Sequence, residues 1–172
     1  MNKKDIFWKL GYLAAAGAVF LIDQTTKAWA IRRLRFGDAV SVIPNFLNFD
    51  YAQNTGAAFS MLDDYGDAGR WGLSVVAFIA ATLVLYFFWK TPRSDDRILG
   101  ALALLLAGIV GNVVDRARLG FVIDFIDVQF GSWHYPTFNV ADAAICIGAG
   151  ILILDMFFSK KQEVKTETED KN

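Results

Sequence analysis

Four stretches of the chain carry enough consecutive apolar residues to cross a bilayer, which takes about 20. They run from about Leu10 to Ile31, Trp71 to Trp89, Ile98 to Val114 and Phe138 to Phe158. The second is uncharged between two tryptophans, which suits the aromatic belts at membrane interfaces. The others are not purely apolar: Asp23 and Lys27 lie in the first, and Asp142 and Asp155 near the ends of the fourth. The connections between spans have a different periodicity. Leu47, Phe49 and Tyr51 alternate with Asn48 and Asp50, and Val122 to Val128 is β-branched and aromatic-rich, so both predict strands. Gly37, Pro44, Gly66 and Gly131 punctuate these connections as turns.

Composition agrees with a membrane class. Of 172 residues 55% are apolar, and the mean hydropathy is +0.35. Seventeen Lys+Arg against 18 Asp+Glu leave no basic excess for nucleic acid. The single cysteine, Cys146, excludes an internal disulfide and a cysteine-rich metal site. Lys/Arg bias sets orientation. Nine such residues (Lys3, Lys4, Lys9, Lys90, Arg93, Arg97, Lys160, Lys161 and Lys165), not counting Lys171 further along the tail, fall on the side of the termini and six on the other. Both termini are thus expected in the cytoplasm. The fold expected is a mainly α integral membrane protein, with four transmembrane helices and a small extracytoplasmic β-sheet at the outer surface. Residues 1–160 would form the membrane domain, and 161–172, polar and without apolar periodicity, a disordered cytoplasmic tail.

Lys3, Lys4 and Lys9, the apolar run Leu10–Ile22 and Ala28-Trp29-Ala30 imitate a cleavable secretory signal. Asp23 and Lys27 stand between that run and the supposed cleavage site, which favours a retained helix. Charges inside a span cost at least about 2.5–3.5 kcal/mol each on insertion scales and usually serve a purpose. Their depths follow from a rise of about 1.5 Å per residue. Asp23 lies about 20 Å along the first helix, Asn112 about 21 Å along the third, and Asp142 about 6 Å below the outer end of the fourth. Three helices therefore offer polar groups at one level, just beneath one surface.

Spacing adds detail. Asp23 and Lys27 are four apart and can pair on one helix face; Asn112 shares a face with Asp115 and Arg116; Asn139 and Asp142 are three apart. Asp124 is flanked by Val122, Ile123, Phe125 and Ile126 and is expected to be partly desolvated. The one histidine, His134, is read as a surface loop residue, and Cys146 as a small core residue. Aspartate remains as the abundant chemical group. Two carboxylates held about 4 Å apart repel by about 4 kcal/mol at an effective dielectric of 20, and so share a proton. One then serves as base on water and the other as acid on a carbonyl, which suits amide hydrolysis. A metal held by the same aspartates, or a small proton-coupled transporter, are the alternatives.

Five motifs occur in order: Asp23-Gln24-Thr25-Thr26-Lys27, Asn54-Thr55-Gly56-Ala57-Ala58-Phe59, Gly111-Asn112-Val113-Val114-Asp115-Arg116, Val122-Ile123-Asp124-Phe125-Ile126 and Phe138-Asn139-Val140-Ala141-Asp142. Together, over roughly residues 10–155, the chain resembles lipoprotein signal peptidase (signal peptidase II) of the bacterial inner membrane. Ala107-Gly108 stands where that family usually has a Gly-Gly pair. The resemblance implies an aspartic endopeptidase without a metal or other cofactor, which cleaves prolipoproteins before a diacylglyceryl-modified cysteine. It implies Asp124 and Asp142 as the catalytic pair. Asp23, Lys27, Asn54, Gly56, Asn112, Asp115, Arg116, Asn139 and Ala141 would line or brace the site, with Asn54, Asn112, Arg116 and Asn139 holding the substrate backbone. Prolipoprotein, membrane lipids and globomycin-type inhibitors are the implied partners, and the site would open towards the outer face. The Asp63 to Gly69 stretch, with two glycines and three acids, is the expected gate.

Overall fold

The structure, a computed structural model, describes residues 3–34, 39–56 and 66–169, the last with backbone alone at 66–70 and 159–169. Four long helices, α1 (Lys3–Arg33), α2 (Gly66–Lys90), α3 (Asp96–Leu119) and α4 (Val140–Glu169), contain the four apolar stretches. Among the described residues four strands lie between them: β1 (Val40–Ile43), β2 (Leu47–Asn54), β3 (Val122–Phe130) and β4 (Trp133–His134). Residues 63–65 of the expected gate lie outside the described residues; residues 66–69 form the start of α2.

α3 is the axis of the bundle and packs against each of the other three helices. Small residues permit the closest crossing. A Cβ on Gly108 would strike the Ala141 carbonyl and Ile145 of α4, and one on Gly148 would lie 2.7 Å from the Ala101 carbonyl of α3. Ala107, the departure from the family pattern, sits in the core with Ala16, Phe88, Leu99, Leu102 and Ala103, so its methyl is accommodated. Outward positions remain apolar, such as Val76 and Phe78 at 64% and 68% exposure, as expected where hydrocarbon replaces water.

Several helices outrun their apolar stretches. α3 continues past Val114 to Leu119 and closes at Gly120, whose left-handed backbone (φ 88°) lets its N–H donate to the Arg116 carbonyl. α4 continues as helix to Glu169, whereas the segment from residue 161 was expected to lack regular structure. Its Lys, Gln and Glu are good helix formers that extend a helix already nucleated in the membrane. Lys9, counted above among the charges on the side of the termini, is 3% exposed and donates to the carbonyls of Phe88 and Trp89 at 3.1 and 2.7 Å. It satisfies the C-terminal carbonyls of α2, where a cation also suits the helix dipole.

The sheet is antiparallel, in the order β1-β2-β3-β4. The two expected strands form its centre, with Asn48 opposite Asp127, Ala52 opposite Asp124 and Asn54 opposite Val122. A register shift between Phe49 and Ala52 marks a bulge. Trp29 of α1 meets Phe49 and Phe125 edge-on at 5.2 and 6.3 Å, and Ala30, Leu34, Ile123 and Phe125 form a second core. That core fixes β3 against the end of α1. Two readings of single residues change. Cys146 is exposed on α4, because the helix packs through Ala141, Ala144 and Gly148 instead. His134 is on β4, and its Nδ1 lies 2.8 Å from Asp127.

Candidate active site

Asp124 comes from near the start of β3 and Asp142 from the first turn of α4. Asn139, immediately before α4, connects them. Its side-chain oxygen accepts the Asp142 N–H at 2.9 Å, and its own N–H donates to Asp142 Oδ2 at 3.3 Å. This reciprocal pair is a capping box with aspartate in the third helical position. The Asn139 amide nitrogen then donates to Asp124 Oδ1 at 2.7 Å. One fully buried asparagine thus starts α4 and binds both carboxylates. The bridge Ile126–Phe138 brings the two segments together just before the cap.

Each carboxylate has a second amide donor. Asn54, at the end of β2, donates to Asp124 Oδ2 at 3.0 Å, and Asn112 of α3 to Asp142 Oδ1 at 2.7 Å. Behind them, Lys27 Nζ has three partners: Asp23 Oδ2 at 2.9 Å, Asp115 Oδ2 at 2.8 Å and Asn112 Oδ1 at 2.9 Å. All three ammonium N–H groups are therefore used, and the lysine is 1% exposed. Asp23 accepts the Ala141 N–H at 2.9 Å, and Asp115 the Ile123 N–H at 3.4 Å. Gly111 makes room for this, since a Cβ there would lie 2.7 Å from Asp23 Oδ2.

Electrostatics follow from burial. Asp124 is 3% exposed, and desolvation raises its pKa from 3.8 to about 6, with the nearby Asp142 charge adding to the rise. Hydrogen bonds from Asn54 and Asn139 and the charge of Lys27 oppose the rise without cancelling it. Arg116 Nη2 donates to the Gly56 carbonyl at 3.2 Å, while its buried Nε has no hydrogen-bond partner among the described residues.

The sequence profile of the family described as signal peptidase (SPase) II matches residues 15–158. The chain belongs to the signal peptidase II family. It is similar to the lipoprotein signal peptidase of Shewanella loihica, 41% identical over 144 residues and 84% of each chain. That of Psychromonas ingrahamii is 40% identical over 95% of this chain and 94% of its own. A solved structure titled as a bacterial membrane enzyme superposes with a TM-score of 0.81 at 33% identity, covering 88% of this chain and 90% of that one. Signal peptidase II enzymes are proteases that remove signal peptides from prolipoproteins, and this is the activity of the chain.

Within the signal peptidase II fold, hydrogen bonds link Asp23, Lys27, Asn54, Asn112, Asp115, Asp124, Asn139, Ala141 and Asp142 into one network. Arg116 and Gly56 pair with each other beside it. Sequence reasoning missed Gln24. Its Nε2 lies 3.1 Å from Asp23 Oδ2, 3.0 Å from Asp115 Oδ1 and 3.3 Å from the Gly111 carbonyl. Helix spacing could not have found it, because successive residues do not share a helix face.

Proposed function

We propose that Asp124 and Asp142 are the catalytic pair of an intramembrane aspartic endopeptidase, which cuts prolipoproteins before a diacylglyceryl-modified cysteine. The observation that carries this reading is the two carboxylates, each held by two hydrogen-bond donors and joined through Asn139. With one proton between them, the ionised carboxylate takes a proton from water as its oxygen attacks the scissile carbonyl. The protonated carboxyl donates to the developing oxyanion. Collapse of the tetrahedral intermediate breaks the C–N bond, and the amide nitrogen leaves with a proton from the pair. No metal is required for these steps.

The amides divide by position. Both ends of Asn112 and Asn139 are engaged, so these residues orient carboxylates and are not free for substrate. Asn54 and Arg116 are left to meet the substrate backbone, with Arg116 Nε as donor to a peptide carbonyl. The excess of Lys/Arg on the side of the termini supports an arrangement with both termini cytoplasmic and the sheet and aspartates towards the outer face of the inner membrane. A lipid-modified cysteine brings its amide to that depth while its acyl chains stay in the bilayer. Globomycin-type inhibitors are proposed to occupy the same cleft.

The test is cleavage of a diacylglyceryl-modified prolipoprotein peptide by wild type, Asp124→Asn and Asp142→Asn in detergent, with and without chelator. Cleavage that survives chelator and is lost in both variants supports the pair. Loss of wild-type cleavage on chelation points to a metal, and activity in either variant removes that aspartate from the chemistry.

A further inference from the structure

The two acids behind the site each hold the backbone one residue before a proposed catalytic aspartate. Asp23 accepts from Ala141, which precedes Asp142, and Asp115 accepts from Ile123, which precedes Asp124. The separation of Asp23 and Asp115 therefore sets the separation of the α4 start from β3. Two groups bridge these acids. Lys27 Nζ joins Asp23 Oδ2 to Asp115 Oδ2. Gln24 Nε2 joins Asp23 Oδ2 to Asp115 Oδ1 and also reaches the Gly111 carbonyl of α3. Only the nitrogen end of the Gln24 amide can face three oxygens, so its orientation is fixed by chemistry.

We infer that Gln24 is a positioning residue for catalysis, setting the spacing of Asp124 and Asp142 by holding Asp23 and Asp115 together. The inference rests on the reading of Asp124 and Asp142 as the catalytic pair. One lysine between two carboxylates leaves one negative charge, and the Gln24 dipole is the other side-chain group that bridges both acids and offsets it, beside the Ala141 and Ile123 N–H groups that each touch one. Without that dipole the acids relax apart, and the backbone at Ala141 and Ile123 moves with them.

A change of spacing has a signature that plain destabilisation lacks. The repulsion that keeps a proton on the pair falls with distance. Moving the carboxylates apart therefore moves the descending limb of the pH–rate profile to lower pH. The charged groups facing Asp124 are Asp142 of α4, Lys27 and Asp23 of α1, and Asp115 and Arg116 of α3; Gln24→Met changes the charge of none.

The experiment is the pH profile of kcat and kcat/KM for Gln24→Met and Gln24→Leu in detergent, on a diacylglyceryl-modified peptide. Gln24→Met is expected to lower kcat by about ten- to a hundredfold, the scale of an ångström-level misplacement. KM should stay within about twofold, and the limb should move down by about half a pH unit, as for a carboxylate pair that opens by about 1 Å. Gln24→Leu, which like Gln24→Met removes the amide without changing any charge, should move the limb the same way and by a similar amount. Limb position does not depend on the amount of active enzyme, so a poorly folding variant still reports. A wild-type limb in both variants overturns the inference, whatever happens to kcat. Cleavage by Asp124→Asn overturns the underlying reading instead, and the two failures are distinct.

Discussion

Lys27 Nζ lies 2.9 Å from Asn112 Oδ1 and fixes which end of that amide faces Asp142, one of the proposed catalytic pair. With its oxygen committed to the ammonium, Asn112 presents only its nitrogen to Asp142, at 2.7 Å. The lysine thus acts on Asp142 through an uncharged relay, and at the same time neutralises charge on Asp23 and Asp115. The i,i+4 ion pair visible in the sequence is one side of a junction between α1, α3, β3 and α4.

Lys27→Met tests that junction. It leaves two buried carboxylates without their cation, a change that typically costs about 3–5 kcal/mol. It also frees the Asn112 amide to turn. The expected outcome is a marked fall in the thermal midpoint in detergent, with cleavage below about 1% of wild type in the fraction that remains folded. A stable, active Lys27→Met protein would refute the junction.

The raised pKa of Asp124, about 6, makes two predictions with a definite sign. Cleavage should decline as pH rises through that region, because the pair loses the proton it must donate; the apparent value belongs to the pair. Folding stability should decline over the same window. A carboxyl whose folded pKa exceeds its unfolded value contributes stability below about pH 4, which is lost as pH rises through about 6. The span of about two pH units corresponds to up to about 3 kcal/mol. In Asp124→Asn the fall in thermal midpoint between pH 4 and pH 7 should shrink, and an unchanged fall would place the titration elsewhere.

Asn54 and Asn139 both donate to Asp124, yet their loss should differ. Each bond favours the ionised form, so removing either moves the descending limb to higher pH. Asn139→Ala in addition abolishes the cap of α4 and should cost about 1–2 kcal/mol. Asn54→Ala should leave stability within about 1 kcal/mol. Profiles and thermal midpoints of the two variants separate a cap from a mouth residue.

Much of this architecture was legible in the sequence, because a bilayer imposes strong local rules. Hydropathy alone places the second span at Trp71 to Trp89, within the observed helix Gly66–Lys90. The strands through Leu47 and Val122 were legible from alternation and β-branching, whereas β1 and β4, of four and two residues, are too short for a period. Asp115 and Arg116 looked like the end of α3, since charges usually leave the membrane. They stay helical because Lys27 and Gly56 receive them. The convergence of Asp23, Asn112 and Asp142 at one depth followed from helical rise. The hydrogen bonds from Ala141 and Ile123 to the bracing acids did not, since any residue type has that N–H.

Gly108 carries the last prediction, because it sets how near α4 comes to α3. A Cβ there would meet the Ala141 carbonyl and Ile145, and the backbone oxygen cannot move aside like the end of a flexible side chain. Overpacking of this kind costs about 1–3 kcal/mol. Ala141 is also the residue that Asp23 holds, one position before Asp142. Gly108→Ala should therefore lower cleavage more than its loss of stability explains, by displacing the start of α4. Gly100→Ala is the matched control on the same helix: its Cβ would meet only Tyr12 at 3.7 Å, an ordinary contact. It should leave both cleavage and thermal midpoint near wild type. Equal effects of the two substitutions would mean that helix 3 tolerates or rejects a methyl regardless of where α4 crosses it, and that the crossing does not position Asp142.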